Sequence, residues 1–158
     1  MKVLEEYLNY IEKNKKLSKN TVASYNRDLK KYVEYLNERN INLSDVVEND
    51  IISYLIELEK EDISVASISR MISSIKSYHD YLFFNKILDT DPSKNIKKPK
   101  VKRVDVEILT EDEVDKLLKF EDLSTPKRIR DKAIFEILYG TGIKVTELID
   151  MNLEDVDL

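Results

Sequence analysis

The sequence has no cysteine and a single histidine, His79. The first absence excludes disulfides and thiolate metal sites, and one imidazole cannot build a histidine-rich metal centre. Only two of the 158 residues are glycine, Gly140 and Gly142, and only three are proline. So few turn formers, beside many Leu, Ile, Lys and Glu, favour helix over sheet. There is no phosphate-binding glycine loop and no nucleophile elbow. No apolar run approaches the ~20 residues of a membrane span, and the opening MKVLEEYLNY lacks a signal-peptide core. These absences predict a soluble, cytoplasmic protein that needs no membrane, metal or cofactor.

Hydrophobic residues make up 42% of the chain and charged residues 36%. The first figure suffices for a core, and the second suits long solvated helices. The length fits one domain or two small ones. A net charge of −5 speaks against nucleic acid, but its distribution does not. Residues 1–103 hold 19 Lys+Arg against 16 Asp+Glu, a net of +3, whereas residues 104–158 hold 7 against 15, a net of −8. Local fields decide partners more than total charge does.

Apolar spacing outlines four helices in the first ninety residues. Leu4, Tyr7, Leu8 and Ile11 mark the first. Ser18 is placed to cap the second, which carries Val22, Tyr25, Leu29, Tyr32 or Val33, and Leu36. The third is expected from about Asp50 to Glu59. In the fourth, SVASISRMISSIKSYHDYLFF, Ile68, Ile72, Ile75 and Leu82 form a buried stripe. His79 lies among these apolar positions and reads as a core residue, and the tyrosines at 7, 25, 32, 54 and 78 read as packing residues. The composition then changes: LDTDPSKNIKKPKVKRVDVEI carries Pro92 and Pro99, and residues 94–103 hold six Lys or Arg. This predicts an extended basic linker. Beyond it, LTEDEV is a capping box in which Thr110 caps and Glu113 reaches back. Glu111, Asp112 and Glu113 are explained by this helix start rather than by a metal. Thr125-Pro126 opens a further helix, expected to end at Gly140. A short helix over Val145 to Ile149 follows.

Two helical faces stand out as polar. On the second helix Asn20, Thr21, Ser24, Arg27 and Lys31 share a side. On the fourth, Ser67, Arg70, Ser74 and Ser77 lie opposite the apolar stripe, with Ser73 and Lys76 beside them. Serine is disfavoured inside helices. A row of small hydroxyls with scattered cations lets a helix approach a phosphate backbone and donate to it. The cations Lys97, Lys98, Lys100, Lys102 and Arg103 of the linker suit the salt-dependent phosphate term. These faces leave two readings open, double-stranded DNA as a partner and a plain solvated surface, and the basic arm suits the first.

RDKAIFEILYGTGIKVTELIDMNLEDVDL, residues 130–158, resembles the opening of the catalytic domain of Xer-like tyrosine recombinases of the phage integrase family. LSKNTVASYNRDLKKYVEYL and SISRMISSIKSYHDYLFFNKIL, followed by DPSKNIKKPK, resemble that family's core-binding domain and linker. The resemblance implies an all-α fold. A four-helix, SAM-like core-binding domain (residues 1–90) would be followed by a basic linker (91–108) and the truncated, helical start of a catalytic domain (109–158). It implies that the second and fourth helices face DNA. It also implies strand exchange through a 3′-phosphotyrosine, without a metal, in the complete family member. At the family's first catalytic arginine this sequence has Lys144, which keeps the charge but loses the planar fork that grips two phosphate oxygens. Glu147 matches the acidic residue expected to brace that turn. The hairpin lysine, His-x-x-Arg box and nucleophilic tyrosine of the family do not occur within residues 1–158, so DNA binding without cleavage is expected of this stretch. Self-association through Ile134, Phe135, Ile137 and Leu138, or pairing with a partner recombinase on DNA, is expected as well. A stand-alone DNA-binding regulator and a helical protein-interaction module are the competing readings.

Overall fold

The structure, a computed structural model, describes residues 2–100, 106–119 and 122–156. All regular elements among them are helical. The helices are α1 (Lys2–Lys13), α2 (Lys19–Glu38), α3 (Glu48–Lys60), α4 (Val65–Phe84), α5 (Glu111–Leu118), α6 (Pro126–Thr141) and α7 (Val145–Asp150). Single 3-10 turns occupy Leu43–Asp45 and Leu153–Asp155. The chain divides into two compact units, Met1–Arg103 and Val104–Leu158.

Local chemistry accounts for the helix starts in the first unit. Ser18 is extended, and its hydroxyl accepts from the Thr21 backbone N–H at 3.2 Å. Ser64 does the same for Ser67 at 3.2 Å. These bonds satisfy amide donors that the first turn leaves open. At α3, where the cap position is Val47, the Asp50 carboxylate reaches back to the Val47 N–H at 2.9 Å. The helix ends lack glycine altogether. Left-handed backbone is taken instead by Lys16, Asn40, Asp62 and Lys86, with φ between 50° and 56°. Lys86 lies in a turn closed by an Ile87 N–H to Leu82 carbonyl bond of 2.9 Å.

α4 is the central helix. α2 packs along it, α3 packs against it, and α1 packs on α2. The apolar stripe Ile68, Ile72, Ile75 and Leu82 is buried as expected, but burial extends to Met71, Ser74, Tyr78 and His79. Fully burying such an apolar side chain contributes about 1.5–3 kcal/mol. Aromatic rings join the helices. Tyr7 and Tyr78 lie 5.1 Å apart between centroids, Tyr32 and Tyr54 5.3 Å, and Tyr35 and Tyr54 4.8 Å, all tilted. His79 is fully buried, and its Nε2 shares a 3.0 Å hydrogen bond with the Tyr32 hydroxyl of α2. Burial holds the imidazole neutral by lowering its pKa to about 4. It also pushes the Tyr32 phenol well above its ordinary range, so the hydroxyl stays protonated.

The linker is not extended over its first six residues, contrary to expectation. Asp91 accepts from both the N–H and the hydroxyl of Ser93, at 2.8 and 2.7 Å, and the Ile96 N–H bonds the Ser93 carbonyl at 3.1 Å. Ser93 and Ile96 are buried in the first unit. The apolar side chain of Ile96 pulls the turn onto the core, which proline counting alone does not reveal.

In the second unit α6 packs on α5 and α7. Thr110 and Glu113 form the expected capping box: the Thr110 N–H donates to Glu113 at 2.8 Å, and the Thr110 hydroxyl accepts from the Glu113 N–H at 3.4 Å. Among this unit's described residues only Val114 is buried. A stretch this short holds little core of its own.

The His79 environment predicts a pH effect with a definite sign. Its folded pKa lies below the ordinary 6.5, so the unfolded chain takes up the proton first as pH falls. Stability from this group is complete above about pH 6.5 and drains away down to about pH 4, by roughly 3 kcal/mol at most. Asp28 works in the opposite direction, because burial raises its pKa and protonation then favours the fold. A His79→Leu variant isolates the first effect. The unfolding free energy of wild type relative to that variant, measured by urea titration, is expected to fall steadily across this window. A constant difference would contradict the account.

Candidate nucleic-acid interface

The outward stripe of α2 follows helical periodicity. Asn20, Arg27 and Lys31 are exposed, and Ser24 is half-buried on the same side. Thr21 is half-buried, and its hydroxyl lies 2.9 Å from that of Ser18, inside the cap. Immediately behind Arg27 sits a group that the periodicity had not brought forward. Asp28 is buried, and its carboxylate accepts from Arg70 Nη1 of α4 at 2.6 Å. Burial raises the Asp28 pKa, and the Arg70 charge pulls it back. The Arg70 side chain keeps 37% of its exposure while its guanidinium holds the carboxylate. A sequence signal for this pair existed. Asp28 falls three residues after Tyr25 and four before Tyr32, on the apolar side of α2, and a carboxylate there requires a cation.

The serine row of α4 corrects the sequence expectation. Ser74 does not face outward: it is fully buried, and its hydroxyl donates to the Met71 carbonyl at 2.8 Å. The cause is the packing of α4 by neighbours on more than one side, which admits a small side chain where a large one would clash. Ser73 is half-buried and donates to the Ser69 carbonyl at 2.9 Å. Ser67 is half-buried in the cap, where it accepts from the Ser64 hydroxyl at 3.0 Å, and Ser77 is half-buried. The bonds to backbone carbonyls use up the hydroxyl protons of Ser73 and Ser74, which are then not donors to anything else. Lys76 is engaged too. Its Nζ donates to the carbonyls of Lys94 and Ile96, each at 2.9 Å. The exposed remainder of the basic segment includes Lys97, Lys98 and Lys100. Lys102 and Arg103 lie outside the described residues.

In the second unit the two glycines do different work. α6 runs through Gly140 and Thr141, and the left-handed residue is Gly142, at φ 67°. Its N–H closes the helix onto the Leu138 carbonyl at 3.0 Å. The left-handed stop thus lies two residues beyond the expected Gly140, because local composition permits either glycine to serve. Lys144 then stands at the N-cap of α7, exposed, with no acidic partner among the described residues. Its backbone N–H donates to Glu147 Oε2 at 2.8 Å. The carboxylate therefore holds the backbone of residue 144 in place and leaves the ammonium outside.

The sequence matches the model of the phage integrase N-terminal SAM-like domain over residues 4–86. The chain belongs to the phage integrase family. Residues 107–158 match the phage integrase family model itself. A relative from Caldanaerobacter subterraneus subsp. tengcongensis, named "Putative tyrosine recombinase TTE1313", is 43% identical over 156 residues, which is 99% of this chain and 54% of the relative. Tyrosine recombinase XerD of Oceanobacillus iheyensis is 38% identical over 157 residues, covering 98% of this chain and 52% of that protein. Tyrosine recombinase XerC of Roseiflexus castenholzii is 38% identical over 157 residues, covering 98% and 50%. The chain spans about half the length of the curated relatives it matches. Among the described residues no helix is long and apolar enough to cross a membrane.

The separate roles of the glycines are checked by two substitutions. A Cβ at either position meets nothing within 4 Å, so only backbone preference is at stake. Gly140→Ala, within the helix, is expected to raise unfolding stability by about 0.5–1 kcal/mol. Gly142→Ala, at positive φ, is expected to lower it by about 1 kcal/mol. Equal effects from the two, read by denaturant titration, would contradict the assigned helix end.

Proposed function

We propose that this chain is the DNA-gripping portion of a tyrosine recombinase acting in site-specific recombination. The observation that carries the reading is a set of polar and cationic side chains that the first unit leaves at least partly open to solvent. It combines the exposed α2 residues Asn20, Arg27 and Lys31, the anchored Arg70, and the exposed Lys97, Lys98 and Lys100. Phosphate contacts of this kind position a duplex without reading its sequence. Ser24 and Thr21 supply small polar side chains that allow close approach, and Ser67 and Ser77 flank Arg70 in sequence on α4. Lys102 and Arg103 extend the basic arm. Residues 1–90 act as the core-binding domain, 91–108 as the linker, and 109–158 as the opening of the catalytic domain.

Within that opening, Lys144 is the group that approaches the scissile phosphate, and Glu147 braces its backbone. A lysine offers a point charge where an arginine would offer two parallel donors. Residues 1–158 therefore bind DNA and contribute one corner of the chemistry, with no cleavage of their own. The face of α6 that carries Ile134, Ile137 and Leu138, all half-buried, together with the 41%-exposed Phe135, mediates association with a second copy or a partner recombinase.

Fluorescence anisotropy of a labelled duplex tests the central statement. Binding is expected at low salt, with the logarithm of affinity falling linearly against the logarithm of salt. Replacing Lys97, Lys98 and Lys100 together by methionine is expected to make the slope shallower by roughly two to three, at about 0.9 per phosphate contact. No binding at low salt, or an unaltered slope in the triple variant, would remove the reading.

A further inference from the structure

The basic arm needs a fixed point of departure if its cations are to meet successive phosphates. The structure contains a device for this. Lys76, in the second half of α4, spends its ammonium on two backbone carbonyls, those of Lys94 and Ile96, at 2.9 Å each. These carbonyls belong to the turn that immediately precedes Lys97. The same turn is tied down three more times. Asp91 caps Ser93 through both its N–H and its hydroxyl. Asn95 Nδ2 donates to Glu48 at the start of α3, at 3.1 Å. Ile96 is buried in the core of the first unit. Two helices thus hold one turn, and the exposed Lys97, Lys98 and Lys100 follow it directly.

We propose that Lys76 is a positioning residue, which clips the root of the basic arm to α4 and so aims Lys97, Lys98 and Lys100, rather than a phosphate contact in its own right. The inference rests on the DNA reading above. The carbonyls occupy two of the three ammonium donors. Each of these bonds involves a charged donor and is stronger than a neutral one. An ordered arm loses less conformational freedom when it binds than a free one does. Releasing it is therefore expected to weaken binding by more than one lost charge would.

The test uses Lys76→Met, and Lys76→Arg as the variant that keeps the charge and still offers more than one donor. Limited trypsin digestion of the free protein, followed by mass spectrometry, reads the order of the arm. Cleavage after Lys97 and Lys100, neither of which precedes a proline as Lys98 does, is expected to be roughly tenfold faster in Lys76→Met, with most of the protection restored by arginine. Anisotropy titrations are expected to show roughly tenfold weaker duplex binding in Lys76→Met, with a salt slope reduced by more than the ~0.9 of a single phosphate. Unchanged cleavage with a slope reduced by only about 0.9 would make Lys76 an ordinary phosphate contact and overturn the proposal. Faster cleavage with unchanged affinity would overturn it as well. If the wild-type protein bound no duplex, the DNA reading would fall, and the cleavage comparison in the free protein would still decide whether the clip exists.

Discussion

A carboxylate buried between two helices must have a cation, and the Asp28–Arg70 pair is where the first unit meets this demand. Tyr32, one turn further along α2, meets His79 of α4 in the same seam. These two polar contacts can be made together in only one register of α2 on α4. Apolar side chains alone tolerate sliding, because burial is not directional. A half-buried ion pair adds little net stability, so its value here lies in specifying the register. The outer stripe of α2 and the arm that leaves beside α4 depend on that register for their relative placement. The seam is thus structural in its chemistry and functional in its consequence.

Much of the fold was legible from residue chemistry. Ser18, Ser64, Thr110 and Thr125 cap the helices that the apolar periodicity outlines. The core positions of Tyr7, Tyr32, Tyr54, Tyr78 and His79 followed from their place on apolar stripes. What escaped was tertiary. The polar row of α4 looked like a solvated or ligand-facing side, yet Ser74 is interior, since no one-dimensional pattern reports how many neighbours a helix has. Lys76 looked like a free cation, yet its partners are backbone carbonyls that carry no sequence signature. The end of α6 escaped for a local reason: Gly140 and Gly142 both permit the left-handed turn, and Thr141 between them fits a helix.

In the second unit, backbone geometry alone fixes the turn that carries Lys144. Gly142 stops α6, two residues follow, and the Glu147 carboxylate fixes the amide of Lys144 at the start of α7. Position 144 is held by its neighbours whichever cation occupies it. A lysine there preserves the charge and gives up directional recognition. In the proposed reading this turn is one corner of the catalytic site, a reading supported by membership of the phage integrase family.

The proposed DNA contacts include the N-terminal half of α2 and the basic arm, whereas acidic side chains gather between α2 and α3. Glu34, Glu38, Glu57 and Glu61 line a groove between α2 and α3 that Lys31 borders as well. Hydrogen–deuterium exchange with and without a duplex separates the two regions directly. Slower exchange is predicted at the N-terminal half of α2 and from Lys97 onward, with no change along Glu57 to Glu61. Protection centred on the acidic groove, or none anywhere at saturating duplex, would contradict it.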